Sequence, residues 1–218
     1  MVVGKRERRR AARLGILLRV ERRLWSTGII HVAGVDEVGV GPLAGPVLAA
    51  AVILPQGASL RGVDDSKKLT AALREELAAK IRAVAIGVGI GIVEPEEIDR
   101  LNIYRAALEA MRKAVTALPI APEHVLVDAR RIPSLTMAQT PLIKGDSRSY
   151  SIAAASIIAK VARDRIMREL DQRYPQYGFR DHMGYGTAQH LTAIHRYGPS
   201  PVHRRSFAPV RELRLPGM

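Results

Sequence analysis

The stretch Ile86-Gly87-Val88-Gly89-Ile90-Gly91-Ile92 restricts the fold more than any other part of the chain. Its strict alternation puts Ile86, Val88, Ile90 and Ile92 on one face of a strand spanning Val84 to Val93, and three glycines on the other. A bare glycine face lets a neighbouring backbone come close. A helix packed tightly over that face is expected, which makes this a sheet strand in a layered protein.

The rest of the chain supplies the layers. Ile30 to Asp36, Pro46 to Leu54, His124 to Asp128 and Met137 to Ile143 read as strands, the second ended by Pro55 and Gly57. Thr70 to Arg82 reads as an amphipathic helix. A helical stretch from Pro95 to Ala117 is interrupted near Leu101 and Asn102 and stopped by Pro119 and Pro122. Ser149 to Tyr174 is the longest helix, and Ile152 to Ala159 is apolar all round, as a helix start buried in a core would be. Thr187 to Tyr197 forms a last helix before a Pro-rich basic tail. Strands followed by runs of helix give an α/β domain with a mixed sheet.

At 218 residues the chain buries roughly 70% of its unfolded surface on folding. With no cysteine, disulfide frameworks, iron-sulfur clusters and thiol catalysis are excluded. The longest apolar runs fall far short of the roughly 20 residues of a membrane span, and no signal peptide is recognisable, so a cytoplasmic protein is expected. The six histidines are scattered, which argues against zinc and predicts mostly surface positions.

The formal net charge is +13, and residues 1 to 24 hold nine Lys/Arg against two Glu. A second concentration falls at Arg196, Arg204, Arg205, Arg211 and Arg214. This balance favours a polyanionic partner such as nucleic acid. Aromatic residues make up 4%, too few for a base-stacking single-strand binder. The segment from residue 8 to 24 reads as a helical arm that packs loosely or contacts the polyanion.

Against this background, acids embedded in apolar strands stand out. Asp36 and Glu37 follow Val32-Ala33-Gly34-Val35, and Asp128 follows Val125-Leu126-Val127. A carboxylate at the end of a buried strand is expensive unless something compensates it. If the two strands are neighbours, the acids meet at the crevice where open α/β sheets bind ligands. Asp146 precedes the long helix and is a third candidate. Each acid alone is compatible with a cap or turn, but convergent carboxylates repel one another, and magnesium or manganese relieves that repulsion. In a regular strand Asp36 and Glu37 face opposite ways, so Glu37 joins such a cluster only if the chain turns; otherwise it offers its carbonyl.

Gly39-Val40-Gly41-Pro42-Leu43-Ala44 fits the dinucleotide pattern GxGxxA, but two preceding acids would repel a pyrophosphate and Pro42 lacks an amide donor. Glycines beside metal-binding acids would instead let a sugar-phosphate backbone approach the main chain, where a 2′-hydroxyl can be sensed. A non-catalytic nucleic-acid binder is the competing class, and would have no use for the acids.

Val35 to Val47 (VDEVGVGPLAGPV), Asp65 to Leu69 (DSKKL), Lys144-Gly145-Asp146, Ser151 to Lys160 (SIAAASIIAK), Arg163-Asp164-Arg165, His182 to Thr187 (HMGYGT) and Gly198 to Pro209 (GPSPVHRRSFAP) together resemble bacterial ribonuclease HII. The likeness runs from about Ile30 to Val210. It implies a ribonuclease H-like mixed five-stranded sheet flanked by helices, with a small C-terminal helical region. Residues 1–28 would form a basic arm and 29–218 the catalytic domain. The implied activity is metal-dependent cleavage of RNA in RNA-DNA hybrids and cutting 5′ to single ribonucleotides in duplex DNA. The implied metal ligands are Asp36, Glu37, Asp128 and Asp146, holding two Mn2+ or Mg2+ ions. Gly39, Val40 and Gly41 would read the 2′-hydroxyl, and Tyr185 would stack beside the junction sugar. The family often has Arg or Lys where Val40 stands, so phosphate contacts are expected from Lys67, Lys144 and Arg148. A monomer is expected, with a sliding-clamp contact through a terminus as a further partner.

Overall fold

Val32–Val38 forms the central strand, β1, of a five-stranded sheet in this computed structural model, which describes residues 5–63, 66 and 69–212. The others are β2 (Val47–Ile53), β3 (Gly87–Val93), β4 (His124–Asp128) and β5 (Ala138–Leu142), in the order β3-β2-β1-β4-β5. β2 runs antiparallel to β1 and β3, whereas β4 runs parallel to β1 and β5. The sheet is mixed, as the alternation of strand and helix patterns implies. β2 is buried along its whole length, which fits its unbroken apolar sequence.

One face of the sheet presents Val35, Val47, Ala49, Ala51 and Val93 to α4 (Pro95–Leu101) and α5 (Ile103–Thr116). The glycine face of β3 lies here. A Cβ at Gly89 would sit 2.1 Å from the Ala114 carbonyl oxygen, and one at Gly91 would sit 2.0 Å from that of Ala110. The expected tightly packed helix is α5. The break before it falls at Asn102, with φ at 71°, whose side chain accepts the Arg105 N–H at 3.0 Å and so starts α5.

The other face carries α3 (Ala71–Val84) and the long α6 (Tyr150–Arg173), around Leu48, Ala50, Val52, Leu77 and Ile157. Residues 150 to 159 of α6 are all buried. A Cβ at Gly34 would lie 2.1 Å from the Ser151 carbonyl carbon, so the start of α6 rests directly on the backbone of β1. That contact brings the turn before α6 to the end of β1.

Two short helices precede the sheet, α1 (Lys5–Leu17) and α2 (Arg19–Trp25). They do not pack loosely. Leu17 and Leu18 are buried, and Val20 and Leu24 pack against Val32, Leu126, Leu142 and Ile152. Basic residues Arg19, Arg22 and Arg23 remain exposed, so the charge count concealed an apolar face. At the other end α7 (Phe179–His182), α8 (Ala188–Tyr197) and α9 (Ala208–Arg211) gather around Met167, Tyr177, Phe179 and Ile194. Among the described residues no helix is long and apolar enough to cross a membrane.

The close approach of α5 yields a stability test. Gly89→Ala is expected to cost about 1–3 kcal/mol, because the added methyl forces β3 and α5 apart. Gly15→Ala, in α1 with nothing within 4 Å of the new methyl, is expected to stabilise by roughly 0.5–1 kcal/mol through helix propensity. Urea unfolding of both variants checks the pair.

Candidate metal centre

β1 and β4 run side by side with Val35 opposite Val127, so Asp36 and Asp128 emerge together at the same end of the sheet. Carboxylate oxygens of Asp36, Glu37 and Asp128 all lie within 4.8 Å of one another. Glu37 therefore contributes its side chain, and the carbonyl alternative is not needed. The chain does not turn to achieve this: β1 continues to Val38 in register with β2, and only its pairing with β4 stops at Val35. The Glu37 N–H donates to Asp36 Oδ1 at 2.8 Å.

Asp146 lies in a single 3-10 turn, Gly145–Ser147, between β5 and α6. The turn is tied to the cluster by Gly145, whose N–H donates to Asp128 Oδ1 at 2.6 Å. Asp146 stands outside the tight trio, yet its charge reaches Asp36. Burial holds the Asp36 carboxyl well above the usual carboxylate range, and repulsion from Glu37, Asp128 and Asp146 adds to that; a Ser156 hydroxyl works in the opposite direction.

Such a site suits a hard divalent cation. Its donors are all carboxylate oxygens, with no histidine or cysteine among them, which matches magnesium or manganese rather than a softer metal. A cation would also relieve the repulsion that raises Asp36.

The glycine loop after β1 is held from below by two arginines. Arg204 Nε, Nη1 and Nη2 donate to the carbonyls of Gly45, Val40 and Gly39 at 3.0, 3.0 and 2.6 Å. Arg163 Nε, Nη1 and Nη2 donate to those of Pro46, Met183 and Ala44 at 3.1, 3.1 and 3.2 Å. Both side chains are almost fully buried. Burial, and then the neighbouring Arg163 charge, bring Arg204 down to about 9, so it remains cationic at neutral pH. In a trans peptide the next N–H points opposite to the carbonyl. Fixing the Gly39 and Val40 carbonyls therefore turns the amides of Val40 and Gly41 away from Arg204, and among the described residues neither meets an acceptor. Gly39, at φ +88°, has no alternative residue: a Cβ there would lie 2.2 Å from Arg163 Nε.

Tyr185 stands beside this loop. It is half exposed, and its ring would lie 3.5 Å from a Cβ on Gly41. Its backbone is anchored by a buried relay. The Ser200 N–H occupies His203 Nδ1 at 3.0 Å, so His203 Nε2–H donates to His190 Nε2 at 3.0 Å, and His190 Nδ1–H donates to the Tyr185 carbonyl at 2.9 Å. Burial first brings His190 and His203 each to about 4, so both rings are neutral at neutral pH and each tautomer follows from its partners. His182 stacks on His190 at 4.4 Å.

Several sequence expectations change here. His124, His182, His190 and His203 are buried rather than superficial, because segments far apart in sequence close over them. Arg204 is an internal strut, not surface charge. The Val40 side chain turns to the apolar cluster containing Ile98 and Val47, so a residue there without charge suits its surroundings. Lys144 and Arg148 are exposed on the turn that carries Asp146, with Arg148 Nη1 donating to the Ile143 carbonyl at 3.2 Å. Lys67 lies outside the described residues. Sequence reasoning missed Arg163 and Arg204 as loop supports. Arg163 offered one signal, its place on an apolar helix face four residues from both Ala159 and Met167; Arg204 offered none.

Residues 33–210 match the sequence profile of the family described as Ribonuclease HII. The chain is 61% identical over 212 residues to the ribonuclease HII of Geobacillus thermodenitrificans, covering 96% of this chain and 82% of that one. Its fold is similar to the crystal structure of ribonuclease H2 from Pyrococcus horikoshii OT3, with a TM-score of 0.72, 29% identity, and coverage of 84% of this chain and 96% of that one. It is also similar to ribonuclease HII of Archaeoglobus fulgidus, solved in complex with PCNA, with a TM-score of 0.71, 28% identity, and coverage of 82% and 96%. A ribonuclease H-type sheet carrying clustered carboxylates thus coincides with close sequence identity over nearly the whole chain: the protein is a nuclease and belongs to the ribonuclease HII family.

Proposed function

We propose that the protein is an endonuclease that hydrolyses the RNA strand of RNA-DNA hybrids and cuts 5′ to single ribonucleotides embedded in duplex DNA, leaving 3′-hydroxyl and 5′-phosphate ends. The observation that carries this reading is the convergence of Asp36, Glu37 and Asp128 within 4.8 Å beside a glycine loop with outward amides. The proposed cofactors are two Mn2+ or Mg2+ ions, which Asp36, Glu37, Asp128 and Asp146 would hold. When bound, such ions neutralise the scissile phosphate, supply a water of lowered pKa and stabilise the leaving 3′-oxygen.

The chain's own groups do the rest. The Gly39 to Gly41 backbone meets the ribose edge, with the Val40 and Gly41 amides donating to its 2′-hydroxyl. Tyr185 stacks on the sugar at the RNA-DNA junction, its backbone fixed by the histidine relay. Lys144 and Arg148 supply counter-charge to the phosphates, and Lys67 is assigned the same part from sequence. The proposed setting is the cytoplasm, acting as a monomer. A sliding-clamp contact through a terminus is part of the proposal; it is motivated by the PCNA complex of the Archaeoglobus fulgidus relative.

Asp36→Asn is expected to abolish Mn2+-dependent cleavage of a duplex containing one ribonucleotide, while raising the unfolding temperature of the metal-free protein at pH 7. The sign follows from the raised folded-state pKa: the ionised carboxylate opposes folding, and its penalty fades as pH falls through the Asp36 range. Gel mapping of the cut and a thermal melt check both halves. Tyr185→Phe should cleave the same junction within about twofold of wild type, and Tyr185→Ala should lose about tenfold or more, matching ~1–3 kcal/mol of stacking. Arg204→Lys cannot span three carbonyls. It should raise KM for the ribonucleotide duplex about tenfold, through the loss of roughly 1.5 kcal/mol of loop support, while Mn2+ affinity measured by calorimetry stays unchanged.

A further inference from the structure

The helices α1 and α2 precede residues 33–210, the span matched by the family profile. They nevertheless reach the turn that carries Asp146. Glu21 of α2 is fully buried, and its Oε1 accepts the Ser149 Oγ–H at 2.6 Å and the Ser151 N–H at 2.9 Å. Arg13 of α1 donates from Nη1 to the Ser147 carbonyl at 3.0 Å. Residues 147, 149 and 151, immediately after Asp146, are thus all held from the N-terminal helices.

Glu21 shares the capping of α6 with Ser149, because the Ser151 N–H it accepts belongs to the first turn of that helix. The Ser149 hydroxyl accepts the Ile152 N–H at 3.2 Å. Glu21 Oε2 is buried without a hydrogen-bond partner among the described residues, and burial raises the carboxyl pKa. A half-satisfied buried carboxylate opposes folding. Its distinctive effect is on the turn. The segment from Gly145 to Ser149 closes on itself through the Ser149 N–H to Gly145 carbonyl bond at 2.8 Å. One end is pinned to Asp128 by the Gly145 N–H, and the other end is pinned by Glu21. Remove Glu21 and this end loses its bonds to Ser149 and Ser151, keeping from the N-terminal helices only the Arg13 contact at Ser147, so the turn that carries Asp146 is held less firmly.

We propose that Glu21, supported by Arg13, is a positioning residue for the reaction: it fixes the turn so that Asp146 stands within reach of an ion held by Asp36, Glu37 and Asp128. This rests on the reading of those acids as metal ligands given above. The N-terminal helices are then part of the catalytic apparatus and not a basic appendage.

The test compares wild type, Glu21→Ala, Glu21→Gln and Asp146→Asn in the full chain. Three quantities are read: Mn2+ affinity by calorimetry, amide hydrogen exchange over residues 145–151, and the Mn2+ dependence of cleavage of a duplex with one ribonucleotide. Glu21→Ala is expected to speed exchange over 147–151 while β1 and β4 stay protected. It should weaken Mn2+ binding about tenfold, with cleavage recovering at saturating Mn2+ because the ligand is displaced rather than absent. Glu21→Gln keeps an acceptor and should shift the same quantities in the same direction by about threefold; it carries the test if Glu21→Ala does not fold. Mn2+ affinity unchanged in the Glu21 variants, with Asp146→Asn impaired, would overturn the proposal whether or not exchange is faster. Mn2+ affinity unchanged in Asp146→Asn would instead overturn the ligand reading on which the proposal rests.

Discussion

Repulsion between carboxylates crowded at the ends of two adjacent parallel strands is the constraint on which the rest of this structure depends. At the observed spacing two ionised groups repel by on the order of 3 kcal/mol at an effective dielectric constant near 20. The fold keeps Asp36, Glu37 and Asp128 together against that repulsion. The hydrogen-bonded register of β1 and β4 sets two of them side by side. The bare backbone at Gly34 lets α6 close on β1, bringing Ser156 to Asp36 and the Asp146 turn to the rim. Gly145 then ties that turn to Asp128. The fold holds an unfavourable charge arrangement that a divalent cation converts into a favourable one.

Beside the acids, the glycine loop is organised by the opposite charge. Arg163 and Arg204 are buried among carbonyls, and each guanidinium spends its donors on main-chain oxygens. Two like charges in the interior are tolerable only because several carbonyl dipoles point at them. That geometry links the C-terminal region, which supplies Arg204 and Tyr185, to the loop that follows β1. The acids come from β1, β4 and the turn before α6, while the supports of the loop come from α6 and the C-terminal region; both halves lean on α6, which supplies Ser156 to one and Arg163 to the other.

Much of this was legible in the sequence, and what was not shares a cause. The Gly87-Gly89-Gly91 face announced a close helix because period-two patterning is local. The strand-end acids were visible because they interrupt apolar runs. The break at Asn102 falls where an interruption near Leu101 and Asn102 was expected. By contrast, His182, His190 and His203 form their relay only after distant segments close, and nothing local marks them as buried. Arg204 was counted among surface charges because a charge count does not know which cations face carbonyls. The N-terminal segment was read by its arginines, although Leu17, Leu18, Val20 and Leu24 decide where it packs. Glu37 joins the cluster from a strand that continues to Val38, where a turn was expected.

The most direct test is a crystal of the protein soaked in Mn2+ and measured near the manganese absorption edge. An anomalous peak within coordinating distance of Asp36, shared with Glu37 or Asp128, is the predicted result, with its loss in Asp36→Asn. A map in which manganese avoids these carboxylates while binding elsewhere would contradict the claim that their repulsion exists to be relieved by a cation.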